Sequence, residues 1–181
     1  MKLLFTLLLA SVSLLSTAQN KFSNGDKAKN FTLKSITGEK VKLSELNSEN
    51  PVVLIVLRGW PEYQCPVSSR LVGEFIAEEE KLVEYDVNVV FVYPGPSTVL
   101  QEKAKEFAED FTFPDNFSFV LDPDYSMINK YGLRWDTPKE TAYPTTLVIN
   151  KKSEIVYSKV SSTHRGRASA EEVLRALENM K

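Results

Sequence analysis

The stretch PVVLIVLRGWPEYQCPVSSR, residues 51–70, carries the strongest structural signal in the chain. Its first half is a continuous run of β-branched and aliphatic residues, which is typical of a strand buried on both faces. Its second half contains Cys65, the only cysteine, followed by a proline, which is favoured at the first position of a helix. The stretch therefore predicts a buried strand, a loop, and then a helix whose N-cap residue is Cys65.

The rest of the chain alternates between strand and helix patterns around this stretch. We expect, in chain order, a hairpin over Phe31–Leu43, a helix over Pro66–Tyr85, a strand over Val87–Pro94, a helix over Ser97–Asp110, a strand over Phe117–Asp122, a short helix around Tyr125–Tyr131, a hairpin turning at Lys151–Ser153, and a last helix from Ser169. Parallel strand–helix–strand units followed by an antiparallel hairpin form a mixed sheet. The predicted fold class is α/β, a central mixed β-sheet flanked by helices, with an N-terminal β-hairpin extension.

The first eighteen residues differ from the rest of the chain. Lys2 precedes a long apolar run that ends with small residues at Ser16 and Ala18, which is the pattern of a secretory signal peptide. A membrane-spanning helix needs ~20 apolar residues, and serines interrupt this run. We therefore expect residues 1–18 to be removed and residues 19–181 to form one exported domain, periplasmic or secreted, without a membrane anchor.

Composition excludes several classes of function. The formal net charge is −2, and no basic block provides the electrostatic footprint of a nucleic-acid-binding protein. One cysteine and one histidine do not supply a tetrahedral zinc site, and no phosphate-binding loop is present. We therefore expect no metal, no organic cofactor and no nucleic-acid partner.

The position of Cys65 favours a reactive thiol. Ligands of open α/β sheets bind beyond the carboxyl ends of the strands, where Cys65 is predicted to lie. A thiolate at a helix N-cap faces free backbone N–H groups, which lower the thiol pKa, and Arg58 and Arg70 are close in sequence. Ser68, at the position of the second cysteine of a redox dithiol, has a hydroxyl that can donate to the sulfur. The alternative is a buried, inert cysteine, for which the polar neighbours make a poor apolar pocket.

The predicted topology brings residues from the C-terminal hairpin to the same edge of the sheet. Pro144 precedes a strand antiparallel to the sheet centre, and the order of elements favours a cis bond before it. The loop over Ser161–Arg167 should bring His164, Arg165 and Arg167 near the thiol, with a solvated surface as the alternative for the two arginines. His164 would serve there as a general base or ion-pair partner, with a surface or structural role as the alternative.

Two aromatic residues flank the path from the buried strand to Cys65. Trp60 and Tyr63 lie in the loop between that strand and the helix. We expect both to shape access to the thiol, with packing in the core as the alternative for such side chains.

Three further segments are informative: GDKAKNFTLKSITGEKVKLSEL near the N-terminus, LRGWPEYQCPVSSRLVGEF around Cys65, and SSTHRGRASAEEVLRAL near the C-terminus. They resemble the alkyl hydroperoxide reductase/thiol-specific antioxidant superfamily, the peroxiredoxin-like redoxins. The second is similar to a branch with an arginine-glycine pair ahead of a Cys-Pro-x-Cys active site. The resemblance spans roughly Gly25 to Leu177. It implies a thioredoxin-like fold and thiolate chemistry at Cys65 without a metal or organic cofactor.

The chain departs from this family's motifs around the cysteine. Ser68 replaces the second cysteine of Cys-Pro-x-Cys. Glu62 and Arg58 stand where typical peroxiredoxins carry threonine or serine and proline, respectively. The peroxide-binding arginine expected on the strand after the short helix is absent, and that segment has a thioredoxin-like Pro144 instead.

These observations lead to one functional hypothesis with two alternatives. The hypothesis is an exported thiol-dependent oxidoreductase that reduces peroxides through Cys65, regenerated by an external thiol or a thioredoxin-like reductant. The first alternative is a thiol–disulfide exchange protein that lacks a resolving cysteine. The second is a non-catalytic thioredoxin-fold module that binds a partner through the Cys65–Pro144 edge.

Overall fold

The structure is a computed structural model that describes residues 21–180. The predicted signal peptide, residues 1–18, lies outside the described residues. The elements, in chain order, are β1 (Thr32–Ser35), β2 (Lys40–Lys42), α1 (Leu43–Glu49), β3 (Val52–Val56), α2 (Pro66–Ala77), α3 (Glu79–Val83), β4 (Asn88–Gly95), α4 (Ser97–Ala108), β5 (Phe117–Pro123), α5 (Ser126–Tyr131), β6 (Thr145–Ile149), β7 (Ile155–Val160) and α6 (Ala170–Glu178).

All of these strands belong to one sheet, in the order β2-β1-β5-β4-β3-β6-β7. The central strands β3, β4 and β5 are parallel, whereas β1, β6 and β7 join the sheet antiparallel to their neighbours. Every residue of β3 is buried, as the continuous apolar run predicted. The structure thus confirms a central mixed sheet with an N-terminal hairpin, formed by β1 and β2.

The pairing of the strands brings three parts of the chain to one edge of the sheet. Val56, the last residue of β3, pairs with Thr145 at the start of β6, and Thr145 also pairs with Val160 at the end of β7. Pro144 and the loop that follows Val160 therefore lie at the carboxyl end of β3. This is the edge at which Cys65 follows β3.

Helices cover both faces of the sheet and enclose two apolar core clusters. One cluster is formed with α2, α3, α4 and α6, and includes an edge-on contact between Phe75 and Phe91 at 6.0 Å between ring centroids. The other is formed with α1 and α5 and includes Leu43 and Met127. None of the helices within residues 21–180 is long and apolar enough to span a membrane.

The helix α1 is an element that the sequence pattern did not predict. Its sequence, LSELNSE, offers few apolar residues, so its stability depends on tertiary contacts. Leu43 is buried in the core, and the side chain of Asn47 donates to the carbonyl oxygen of Asn150 at 2.5 Å. These contacts join elements that are distant in sequence, so a local sequence pattern does not predict them.

The single helix predicted over Pro66–Tyr85 is two helices in the structure. The chain leaves helical geometry at Glu78, where φ is −100° and ψ is 14°, and α3 begins at the next residue. Leu82 in α3 is buried in the same core cluster as Phe75 in α2. The apolar spacing that predicted one helix is thus shared by two segments.

The prediction of a cis bond before Pro144 is wrong, because the described residues contain no cis peptide bond. The prediction rested on the order of the elements, which does not fix the path of the chain into β6. Instead, the Tyr143 N–H donates to the carbonyl oxygen of Leu133, and Arg134 and Ala142 form a β-bridge. The chain therefore enters β6 in an extended, paired conformation that requires no turn at Pro144.

Candidate active site

Cys65 is the N-cap residue of α2, as predicted, with Pro66 at the first helical position. The backbone of Cys65 is extended, with φ −89° and ψ 109°. Its side chain lies in the interior, since the residue is only 3% exposed. Burial alone disfavours a thiolate, so the reactivity of this cysteine depends on the groups that face the sulfur.

The turn from β3 toward Cys65 requires a glycine. Gly59 has a φ of +68°, and a Cβ atom at this position would lie 1.8 Å from the carbonyl oxygen of Pro94. The next residue, Trp60, donates its backbone N–H to the same oxygen at 2.9 Å. Only a residue without a side chain allows this close approach between the loop and β4. The glycine of the Arg58-Gly59 pair therefore has a structural role.

Four groups favour the charged form of the Cys65 thiol. Burial raises the pKa of the thiol, but the Ser68 hydroxyl, the backbone N–H groups of Ser68 and Val67, and the positive charge of Arg167 oppose it. The net effect is a Cys65 pKa below its ordinary value. The two backbone N–H groups belong to the first turn of α2, where free N–H groups favour a negative charge.

Ser68 is oriented by two donors so that its own proton is available to the sulfur. Its Oγ accepts a hydrogen bond from Arg167 Nη1 at 2.9 Å and another from the Arg58 backbone N–H at 3.4 Å. A hydroxyl has two acceptor lone pairs and one proton, so both lone pairs are used and the proton remains for Cys65. Ser68 is buried, which keeps water from competing for this proton.

Arg167 is the cation that meets the thiol. Its Nη2 lies 3.8 Å from Cys65 Sγ, and its Nε donates to the carbonyl oxygen of His164 at 3.0 Å. Burial lowers the pKa of Arg167, and the neighbouring thiolate partly offsets that effect. The helix that follows is anchored by a capping box between Ser169 and Glu172, which limits movement of the chain just after Arg167.

Arg58, in contrast, does not contact the thiol with its side chain. Its guanidinium is buried and forms two hydrogen bonds of 2.9 Å with the two carboxylate oxygens of Glu140. It also donates to the carbonyl oxygen of Lys139 and to the hydroxyl of Tyr63. The prediction that Arg58 adds positive charge at Cys65 is therefore wrong. A planar guanidinium matches a carboxylate in two parallel hydrogen bonds, and Glu140 provides that partner.

His164 also contacts Glu140 rather than the thiol. Its Nε2 lies 2.9 Å from Glu140 Oε1, and its ring packs 5.4 Å from the ring of Trp135, which stacks on Tyr143 at 4.8 Å. The prediction of a base or ion-pair partner for Cys65 is therefore not supported by this geometry. His164 acts on the site through its backbone, because its carbonyl oxygen holds Arg167.

The remaining predicted residues surround this centre at different distances. Pro144 is buried at the carboxyl end of β3, and its carbonyl oxygen accepts from the Ser161 N–H at 2.8 Å. Trp60 is half-buried, with the ammonium of Lys103 5.1 Å above its ring. Tyr63 is exposed and covers the guanidinium of Arg58.

The arginines at positions 70 and 165 make no direct contact with the thiol. Both line a cavity beside α2, together with Arg167. Arg70 is exposed on the first turns of α2, and Arg165 is exposed in the loop after β7. Their positions add positive charge to the surroundings of the site rather than to Cys65 itself.

Two residues of the site were missed by sequence reasoning. Glu140 joins Arg58 and His164, although it lies 82 residues from one and 24 from the other. Gln64, next to Cys65, accepts from the Tyr93 hydroxyl at 2.7 Å and donates to the Lys103 carbonyl oxygen at 2.8 Å. No spacing rule connects such residues, because their contacts arise only when the sheet has formed.

The strand order and the helices on both faces of the sheet define a thioredoxin-like fold, with Cys65 at the start of α2. Residues 24–158 match the model of the AhpC/TSA family, so the chain belongs to that family. This confirms the resemblance seen in the sequence, and the chain is a thiol-dependent redoxin.

The similar proteins include enzymes of two kinds. The chain is 26% identical over 138 residues to thiol-disulfide oxidoreductase ResA of Halalkalibacterium halodurans, a match that covers 73% of this chain and 65% of the relative. The solved structure of peroxidoxin BcpB from Mycobacterium tuberculosis superimposes with a TM-score of 0.67 at 20% identity, covering 88% of this chain and 99% of that one.

Two further solved structures share the fold. The yeast mitochondrial 1-Cys peroxiredoxin superimposes with a TM-score of 0.71 at 15% identity, covering 88% of this chain and 76% of that one. A putative thiol:disulfide interchange protein DsbE from Chlorobium tepidum does so with a TM-score of 0.61 at 22% identity, covering 86% of this chain and 99% of that one. At these identities the likeness shows the fold alone.

Proposed function

We propose that this protein is an exported thiol peroxidase that reduces peroxides through Cys65. One observation carries the proposal: the Cys65 thiol, the only one in the chain, is held beside the Ser68 hydroxyl, the Arg167 guanidinium and the first N–H groups of α2. Each of these groups favours the thiolate, which is the nucleophilic form of cysteine. Peroxide reduction needs only one such nucleophile in its first step.

The proposed reaction begins with attack of the Cys65 thiolate on one peroxide oxygen. A sulfur–oxygen bond forms, the oxygen–oxygen bond breaks, and the leaving hydroxide takes up a proton to become water. The sulfur is oxidised by two electrons to a sulfenic acid, and the peroxide is reduced by the same two. Arg167, which contacts Sγ, stabilises the thiolate before attack and remains beside the sulfur when charge moves to the leaving oxygen.

Regeneration of the thiol requires an external reductant. No second cysteine exists in the chain, and the buried serine at position 68 occupies the place of a resolving thiol. An external thiol therefore forms a mixed disulfide with Cys65, and a further thiol releases it. A thioredoxin-type protein and a small-molecule thiol are both partners of this chemical class.

Thiol–disulfide exchange is the second candidate function. It is favoured by the similarity to ResA and by the position of Pro144 at the carboxyl end of β3, the edge at which Cys65 follows that strand. The same activated thiolate attacks a disulfide sulfur in that reaction. Without an internal resolving thiol, however, the mixed disulfide depends on a second external thiol for every turnover.

The test of the proposal is the rate at which stoichiometric hydrogen peroxide oxidises Cys65, measured across pH with trapping of the sulfenic acid and mass spectrometry. Because the pKa of Cys65 lies below its ordinary value, the rate should reach its plateau at a lower pH than that of free cysteine. Arg167→Met removes one group that lowers this pKa, so its profile should move to higher pH. Arg175→Met, at an exposed arginine of α6, is the matched control and should leave the profile in place.

Two results would contradict the peroxidase proposal. One is an oxidation rate equal to that of free cysteine at the same fraction of thiolate. The other is a rapid reaction with disulfides accompanied by no reaction with peroxide, which would favour exchange. If Cys65 reacts with neither, the binding module becomes the remaining hypothesis.

The proposal includes export and a single mature domain over residues 19–181. It rests on the pattern of residues 1–18, a positive charge, an apolar run and small residues before position 19. We expect protein purified from the extracytoplasmic fraction to begin at Gln19, as determined by N-terminal sequencing. Recovery of a chain that retains Met1 in the cytoplasm would contradict this part of the proposal.

A further inference from the structure

A cavity of about 490 Å³ lies beside the active-site helix, between α2 and the start of α6. It is lined by two apolar residues of α2, Val67 and Leu71, and by Arg70, Arg165 and Arg167. The volume falls within the range of small-molecule sites, about 300–1,000 Å³, and it is too small to hold a folded partner protein. The cavity therefore suits a ligand of a few heavy atoms with an anionic group.

The charges around this cavity are unbalanced. Three arginines line it against one carboxylate, that of Glu74. That carboxylate already accepts the Ala170 N–H at 2.7 Å and so holds the start of α6. Within residues 21–180, the guanidinium groups of Arg70 and Arg165 have neither a hydrogen-bond acceptor nor an ion-pair partner. Two cationic groups are thus available to an anion.

The start of α6 does not compete for this anion. The capping box satisfies the N–H groups of Ser169 and Glu172, and the Glu74 carboxylate accepts the N–H of Ala170. Binding of an anionic ligand in the cavity therefore depends on the arginine side chains, which donate in planar, charge-assisted pairs to carboxylates.

The cavity adjoins the thiol through two of its lining residues. Arg167 lines the cavity and also lies 3.8 Å from Cys65 Sγ through its Nη2. Val67 also lines the cavity, and its backbone N–H is among the groups that lower the pKa of the Cys65 thiol. The cavity and the thiol therefore share Arg167 as a common neighbour.

We propose that this cavity binds the carboxylate of a small external thiol that regenerates Cys65, with Arg70 and Arg165 as the groups that hold it. This inference rests on the proposed function, since it names the reductant class for the same thiol. The thiol R–SH reacts with the sulfenic acid to give Cys65–S–S–R and water, the thiol proton and the sulfenic hydroxyl forming the water. A second R–SH attacks the mixed disulfide, releasing R–S–S–R and the Cys65 thiol.

The test compares reductants that differ in charge. Cys65 is oxidised with stoichiometric hydrogen peroxide, and its reduction is followed with mercaptopropionate, mercaptoethanol or cysteamine, which carry an anionic, a neutral or a cationic group. Rates are corrected for the thiolate fraction of each reductant. We expect the anionic thiol to react about tenfold faster than the neutral one, as for one charge-assisted arginine–carboxylate contact, and the cationic thiol to react slowest.

Variants of the two free arginines identify the site. In the double variant Arg70→Gln with Arg165→Gln, the preference for mercaptopropionate over mercaptoethanol should fall to near unity. Arg175→Gln removes an exposed arginine from the far end of α6 and should retain the full preference. Equal rates with both thiols in the unmodified protein, or an unchanged preference in the double variant, would overturn the inference.

A second measurement separates this inference from the peroxidase proposal. Reduced Cys65 is mixed with dithiodipropionate or with hydroxyethyl disulfide, and no peroxide is present. A preference of similar size for the anionic disulfide, lost in the double variant, would support the anion site even if Cys65 did not react with peroxide. Rapid oxidation by peroxide without preference in either experiment would leave the peroxidase proposal intact and overturn the anion site.

Discussion

Cys65→Ser is expected to abolish peroxide-dependent oxidation of dithiothreitol, leaving only the uncatalysed rate. The hydroxyl of serine remains protonated at neutral pH and is a weak nucleophile, and the chain has no other thiol to replace it. Dithiothreitol is a suitable reductant because its two thiols form and then resolve a mixed disulfide with Cys65. Peroxide consumption and dithiothreitol oxidation, measured together, report the activity.

The variant should remain folded, which makes the loss of activity interpretable. Serine is a preferred N-cap residue, so α2 keeps a favourable start at position 65. Circular dichroism and thermal unfolding provide the control for folding. Undiminished peroxide consumption by folded Cys65→Ser would show that the reaction does not occur at this residue, and the proposed function would have to be abandoned.

Arg58→Met is expected to lower the free energy of unfolding by ~3–5 kcal/mol, the cost of leaving one member of a buried ion pair without its partner. The side chains of Arg58 and Glu140 are only 3% and 12% exposed, and two hydrogen bonds of 2.9 Å join them. Removal of the guanidinium leaves the Glu140 carboxylate in the interior with His164 as its remaining partner. Urea unfolding of wild type and variant gives the difference.

The loss in free energy of unfolding should come from the unpaired Glu140 charge rather than from the smaller volume of the methionine side chain. In the double variant Arg58→Met with Glu140→Met, no buried charge is left unpaired, so much of the lost stability should return. Lys42→Met, which breaks the exposed pair with Glu45, is the control and should cost no more than ~1 kcal/mol. The single variant Glu140→Met is measured as well. If the double variant loses as much free energy of unfolding as Arg58→Met and Glu140→Met lose in sum, the ion pair does not explain the effect.

The same pair also supports the active site. Glu140 binds Arg58 and His164, and the carbonyl oxygen of His164 holds Arg167 against the thiol. A chain of contacts therefore runs from a buried ion pair to Cys65. This arrangement explains why a histidine near the site does not need to touch the sulfur in order to influence it.

Much of the fold could be predicted from local patterns. The buried run of β3, the proline at the first position of α2 and the serine that begins α6 each reflect preferences of a few neighbouring residues, and the structure confirms all three. The helix α1 and the break at Glu78 could not be predicted in this way. Both depend on how the segments pack against strands and helices elsewhere in the chain.

The candidate site shows the same division. The place of Cys65 at the start of a helix beyond a buried strand, with Ser68 one turn on, could be predicted from neighbouring residues because these relations are local. The choice among the nearby arginines could not be predicted in this way, because it depends on contacts between distant parts of the chain. Arg58, seven residues away, turns to Glu140, whereas Arg167, 102 residues away, reaches Sγ. Strand pairing determines which residues come close in space, and the number of residues between them along the chain does not.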